Sequence, residues 1–259
     1  MTPTIDDVRN YWNSHLNLTQ FLGDQDLEPG SDRFFEEIER SFDRYGYKDR
    51  VFRDFGRDAA GKTLLEIGCG LGIELGRLGQ LGFDVTGIDL APQAVELANA
   101  NLKRKGVTGR AVVANAEALE FEDASFDVVY SSGVLQHTPD MDRAIAELHR
   151  VLKPGGRILI VLYHRHSWFY VLHRLSGQNV EFDDEDAPII NSYTRSELRQ
   201  LFSAFKDISV ECEYYRPERT GRAGFKAALF NNVFVPVMGA LPKALVRNFG
   251  WHLVLTARK

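Results

Sequence analysis

The chain has 259 residues, 44% hydrophobic and 26% charged, enough for one large α/β domain with a modest addition. Its 31 Lys and Arg against 36 Asp and Glu leave a net charge of −5, which opposes non-specific attraction to nucleic acid or to an anionic membrane. Two cysteines, Cys69 and Cys212, make neither a disulfide framework nor a metal cluster, and they suit a reducing, cytoplasmic compartment. Residues 1–7 lack the basic and apolar regions of a signal peptide. Residues 5–15 predict a short helix carrying Tyr11 and Trp12. Ser31 is placed to cap a second helix, whose apolar face is Phe34, Phe35, Ile38 and Phe42. A third is expected over residues 48–58.

The core motifs start near Thr63. Thr63–Ile67 is an apolar run that reads as a buried strand, and it breaks into Gly68, Gly70 and Gly72 at alternate positions. Ile73, Leu75, Leu78 and Leu81 then follow at helical spacing. A second apolar run, Val85-Thr86-Gly87-Ile88, ends in Asp89. Strand, glycine turn and helix N-terminus together make a ligand crevice at the carboxyl ends of parallel strands, where Asp89 can accept ribose hydroxyls. The glycine spacing excludes two common occupants. A dinucleotide fingerprint needs glycine at position 73, which is Ile73, and no Gly-Lys-Ser/Thr of a Walker loop follows.

Strands and helices alternate to about residue 163, the pattern of a parallel sheet covered on both faces. Thr194-Arg195-Ser196-Glu197 is a capping box opening a helix with Leu198, Leu201 and Phe202. Residues 208–215 read as a sixth strand and residues 250–257 as a last one. Residues 227–246 are apolar-rich, but Asn231, Asn232, Pro236 and Pro242 interrupt them. They suit an irregular packed excursion or an interface patch better than a transmembrane helix, and no stable membrane insertion is expected.

The string Glu66-x-Gly68-x-Gly70-x-Gly72 resembles the first motif of class I S-adenosylmethionine-dependent methyltransferases, and Asp89 resembles their acidic ribose ligand. Further motifs come in the family's order. Val112-Val113-Ala114-Asn115-Ala116-Glu117 matches the adenine loop after the third strand, and Phe126-Asp127-Val128-Val129-Tyr130-Ser131-Ser132-Gly133-Val134-Leu135-Gln136-His137 the fourth strand and its active-site turn. Leu152-Lys153-Pro154-Gly155-Gly156 matches the turn into the fifth strand. The resemblance covers about residues 60 to 259. It implies a Rossmann-like α/β fold with a seven-stranded, mostly parallel sheet and an antiparallel last strand. Residues 1–60 form an N-terminal helical cap, residues 61–259 the methyltransferase domain, and insertions near 164–195 and 216–248 lie on the substrate side.

For function, the resemblance implies methyl transfer from S-adenosyl-L-methionine to a small-molecule acceptor, with no metal and no nucleic-acid partner expected. Tyr11, Glu66, Gly68, Cys69, Gly70, Asp89, Leu90, Ala116, Glu117 and Ser132 are the expected cofactor contacts. His137, Tyr163 and His164 are the catalytic candidates, with Arg165 and His166 beside them. Each has a plainer reading too: His137 as a turn cap, the residues after the fifth strand as a solvated loop, Cys69 as a small residue in a tight turn. Tyr11 and Trp12 either close over the site as a lid or staple the cap to the core. Arg216, Arg219, Arg222 and Lys226 suit an anionic ligand or a solvated face. Glu181, Asp183, Asp184, Glu185 and Asp186 suit a cationic substrate or a flexible loop. The other functional readings are a protein or nucleic-acid methyltransferase, a non-catalytic cofactor-binding homologue and a nicotinamide oxidoreductase.

Overall fold

The computed structural model describes residues 2–22, 27–42, 52, 56–176, 187–213, 224–242 and 246–259. Most of the expected helix over residues 48–58 lies outside the described residues, where only Phe52 and a 3₁₀ turn, Gly56–Asp58, appear. Glu181, the acidic residues 183–186, and Arg216, Arg219 and Arg222 lie outside them as well, as do Tyr214 and Tyr215 at the end of the expected sixth strand.

Seven strands form one sheet: β1 Thr63–Ile67, β2 Asp84–Asp89, β3 Gly109–Val113, β4 Phe126–Ser132, β5 Leu152–Tyr163, β6 Lys206–Glu213 and β7 His252–Arg258. Their order is β3-β2-β1-β4-β5-β7-β6. β1 to β5 pair in parallel, and β7 runs antiparallel between β5 and β6. From β1 the chain winds outward to β2 and β3, then returns to β4 on β1's other side. That reversal opens a crevice beyond the carboxyl ends of β1 and β4. Ile67 pairs with Ile88 on one side and Ser131 on the other, so the loops after all three strands emerge level.

Strand periodicity divides the core between the two faces of the sheet. Leu64, Val128 and Tyr130 pack on one face with Leu75, Leu78, Ala98 and Leu102; Leu65, Val129, Ile158 and Leu255 pack on the other with Leu148, Leu198 and Phe202. The helices are α1 Ile5–Ser14, α2 Asp32–Phe42, α3 Ile73–Gln80, α4 Pro92–Arg104, α5 Met141–Val151, α6 Trp168–Ser176 and α7 Arg195–Leu201. Two short α segments, Phe225–Leu229 and Val235–Ala240, flank the π turn Phe230–Phe234. Capping chemistry sets several starts. Thr4 and Asp7 close a capping box on α1, Thr194 and Glu197 another on α7, and Ser31 Oγ accepts from Phe34 N at 3.2 Å.

The cap shares the main core. Phe34, Phe35 and Ile38 of α2 are buried in the same cluster as α3 and α4. Glu39 accepts from Arg104 at 2.5 Å and meets Lys105 Nζ at 2.8 Å, while the Arg104 guanidinium lies over the Phe35 ring. Removing a fully buried aromatic leaves a cavity, so Phe35→Ala should destabilise the whole protein by about 3–5 kcal/mol. Urea unfolding followed by tryptophan fluorescence and by circular dichroism should give one coincident transition; a separate early transition of the cap would contradict the shared core.

Candidate active site

The glycine loop is fastened to the neighbouring strand by its own amides. Gly68 N and Cys69 N both donate to the Ile88 carbonyl, at 2.7 and 2.9 Å, and Gly72 N donates to Cys69 O at 2.8 Å. Gly70 N donates to Asp89 Oδ2 at 2.9 Å. Gly68 has φ +71°, and a Cβ there would stand 2.3 Å from Val134 Cγ2, so both conformation and space demand glycine. Gly70 also has positive φ, but a Cβ there would meet nothing within 4 Å, because that side looks onto the crevice.

Asp89 holds the opposite lip. Its Oδ1 accepts from Ala91 N at 3.0 Å and its Oδ2 from Gly70 N. Burial raises its pKa above the ordinary aspartate value, while the backbone hydrogen bonds from Ala91, Gly70 and Leu90 pull the other way. A carboxylate offers about four lone-pair sites, so acceptor capacity remains toward the crevice. The amides of residues 68–70 are thus engaged, and the carbonyls of Cys69, Leu71 and Gly72 accept from Gly72 N and the Asn101 side chain. A turn whose amides are already spent gives a pyrophosphate no cradle of free N–H donors.

The crevice encloses about 810 Å³ of empty space, including the part open to solvent. Gly68, Gly70, Asp89, Leu90 and Ala116 line it as the sequence suggests, together with Ala91, Ala114 and Asn115. Its outer wall is α1, through Ile5, Val8 and Trp12, continued by Leu16 and Asn17. Gly133, Val134, Leu135, His137 and Thr138 close the far side.

Five expected cofactor residues sit behind this surface. Glu66 is buried within β1. The Cys69 side chain packs toward Gly87, and burial, then Asp89 and Glu66, raises its thiol pKa well above normal, so it is no thiolate. The Glu117 carboxylate turns to the Thr138 hydroxyl and to Asp140 N, bracing the turn that carries His137. Ser132 hydrogen-bonds Tyr130, whose hydroxyl donates to Glu74 at 2.6 Å. Tyr11 is buried against His15, with ring centroids 4.4 Å apart, and its neighbour Trp12 reaches the crevice instead. Asn115, Ile5 and Val8 were not singled out as contacts. The spacing of 5, 8 and 12 is a readable helical stripe, but sequence does not say which surface the stripe covers.

His137 is the catalytic candidate that reaches the crevice. Its Nδ1 donates to the Ile189 carbonyl at 2.7 Å, which leaves Nε2 unprotonated and accepting from the Gln136 amide at 3.2 Å. Trp12 meets the ring edge-on, with centroids 5.2 Å apart. Asn191 N donates to Gln136 O, so residues 189–191 clamp this turn twice. Tyr163 stands one ring further out, 6.1 Å from His137 and 5.5 Å from Trp251, and does not line the crevice. His164 is directed elsewhere. Its Nδ1 bonds Gly250 O at 3.0 Å beside Cys212, and burial lowers its pKa, so it is a neutral pin between the ends of β5 and β7. Arg165 is taken up by Glu197 and Ser192 O, and the His166 ring lies tilted beside His164, with centroids 5.8 Å apart.

Residues 65–160 match the family model described as a methyltransferase domain. It is 31% identical over 192 residues to a 2-methyl-6-phytyl-1,4-hydroquinone methyltransferase of Synechocystis sp., covering 74% of this chain and 52% of that one. It is 36% identical over 123 residues to a ubiquinone biosynthesis O-methyltransferase of Pseudomonas paraeruginosa, covering 47% and 53%. The chain thus spans about half the length of these curated relatives. Among solved structures, a possible histamine N-methyltransferase of Thermotoga maritima superposes with TM-score 0.59 at 19% identity, covering 88% of this chain and 97% of that one. The 4+2 cyclase SpnF superposes with TM-score 0.65 at 18% identity, covering 100% and 97%. These structural likenesses concern the fold alone.

Family and fold imply S-adenosylmethionine as cofactor, and the crevice fits it at the glycine loop and at Asp89. Asp89→Ala should therefore weaken S-adenosylmethionine binding by about 1–3 kcal/mol in calorimetry. Wild-type affinity should fall as pH drops through the raised Asp89 titration, since protonation removes acceptor capacity. Affinity independent of both would remove Asp89 from the binding site.

Proposed function

We propose that the chain transfers the methyl group of S-adenosylmethionine to a small hydroxyl-bearing acceptor of apolar, aromatic character. The observation that carries this reading is the engagement of the Gly68, Cys69 and Gly70 amides by Ile88 O and Asp89, which leaves a dinucleotide unsupported. When bound, S-adenosylmethionine supplies a methyl on a positive sulfonium, already a strong electrophile. The chain's part is to hold the acceptor in line, exclude water and take one proton.

His137 is placed for the proton. The Ile189 carbonyl fixes its tautomer with Nε2 as the basic atom. Gln136 serves both charge states of the ring. Its amide N–H donates to neutral Nε2, and its Oε1, which has no hydrogen-bond partner among the described residues, becomes the acceptor for Nε2–H once the amide rotates. Tyr163, Trp251 and Phe169 continue outward from His137 as stacked rings, 5.5 and 3.9 Å between successive centroids, a surface suited to a planar apolar acceptor. The similarity to a 2-methyl-6-phytyl-1,4-hydroquinone methyltransferase and to a ubiquinone biosynthesis O-methyltransferase accords with such an acceptor.

The direct test is labelling. Purified protein with radiolabelled S-adenosylmethionine and fractionated metabolite extracts should label an O-methyl product, whereas tight binding of a nicotinamide dinucleotide without S-adenosylmethionine binding would sink the reading. His137→Ala should lower kcat about 10²–10⁴-fold with little change in cofactor affinity. Near-wild-type turnover would exclude the base role. α1 acts as the lid: Trp12→Ala should reduce both affinity and turnover in a folded protein, and residues 2–20 should resist protease once cofactor binds. Unchanged kinetics and cofactor-independent cleavage would make α1 only a brace.

A further inference from the structure

Between β6 and β7, the described residues 224–242 do not line the crevice. Phe225–Leu229, the π turn Phe230–Phe234 and Val235–Ala240 form one continuous helical run. Its inner face rests on the protein, where Phe230 stacks on Phe234 at 5.3 Å and Phe234 meets Trp168 at 5.5 Å. Its outer face is apolar as well. Phe225 is 84% exposed, Leu229 52%, Val233 51% and Val237 52%. These four recur at every fourth residue. In an α-helix each such step overshoots a full turn by about 40°, and the wider π turn midway takes back part of that drift, keeping the stripe on one side. A helical run apolar on both faces calls for an apolar cover.

Charge and area select the cover. Residues 214–249 contain six basic residues, Arg216, Arg219, Arg222, Lys226, Lys243 and Arg247, and one acid, Glu218, a local +5 in a chain of net charge −5. The whole-chain charge therefore conceals a basic segment, and its repulsion of anionic surfaces does not extend here. A second copy docked on the same face would set like charge against like charge. A helix about 24 Å long and roughly 10 Å wide also offers far less than the roughly 800 Å² per partner of a stable dimer.

We propose that residues 225–241 are an interfacial anchor that lays this chain on an anionic lipid bilayer, with Phe225, Leu229, Val233 and Val237 at the boundary of headgroups and acyl chains. Among the described residues no helix is long and apolar enough to cross a membrane, so the segment lies on the surface. Ring contacts lead from the anchor inward, Phe234 to Trp168 to Phe169 to Trp251 to Tyr163, and so to His137. An acceptor dissolved in lipid then meets the crevice along an apolar approach. That last point rests on the methyl-transfer reading, whereas the anchor itself does not.

Vesicle sedimentation separates the two. The full chain should partition onto vesicles of phosphatidylglycerol and phosphatidylcholine, weakly onto phosphatidylcholine alone, and less as salt rises. Combined Phe225→Asp, Leu229→Asp and Val233→Asp should weaken binding at least tenfold while thermal midpoint and S-adenosylmethionine affinity stay unchanged. Phe225→Ser, at the most exposed of these positions, should show a several-fold loss and decides the matter if the triple variant misfolds. A wild type that ignores both vesicle types, or variants that bind as well as wild type, would overturn the anchor. So would a wild-type dimer, in analytical ultracentrifugation, that the triple variant dissolves, since the stripe would then be a protein interface.

Discussion

The Ile88 carbonyl, accepting from Gly68 N and Cys69 N together, is the contact on which the site depends. It ties the first turn after β1 to the last residues of β2, and Asp89 completes the fastening through Gly70 N. Only a backbone with positive φ at residues 68, 70 and 72 makes that turn, and Gly68 must also pass under Val134 without a Cβ. The chemistry follows. The amides of residues 68–70 are spent within the protein, and an acid is held at the lip. The same strand sequence with free amides at this turn would have been a phosphate site.

Around this latch the site is assembled from segments far apart in the chain. α1 supplies the outer wall, the turn after β4 supplies His137, and residues 189–191 reach across to fix that turn. Glu117, after β3, braces the same turn from behind through Thr138 and Asp140. The imidazole is therefore positioned by the Ile189 carbonyl, the Gln136 amide and the edge of the Trp12 ring. Ring contacts run from Tyr163 through Trp251, Phe169 and Trp168 to Phe234 in the helical run of residues 225–240.

Much of the architecture was legible in the linear chain because it is written in local periodicity. Strands buried on both faces appear as continuous apolar runs, and Leu64 and Leu65 divide between two cores simply because successive strand residues point to opposite sides. The capping boxes at Thr4 and Thr194 are local chemistry, each closed by an acid three residues on. The glycine spacing, Asp89 and the turn carrying His137 were likewise readable, since each is a short motif at a strand end.

What the sequence by itself determined is the fold class, the place of the crevice and the kind of group each strand end presents to it. Tertiary structure decided which way the side chains turn. Glu117, Cys69 and Ser132 lie in the expected motifs but face inward, because buried polar groups must find partners and theirs are Thr138, the core beside Gly87, and Tyr130. Tyr11 and Trp12 are adjacent on a helix, about 100° apart, and packing gave the crevice to Trp12. His164 and Tyr163 alternate along a strand end, so one faces Gly250 O and the other His137. Orientation of this kind depends on contacts between residues tens of positions apart, and no local pattern encodes them.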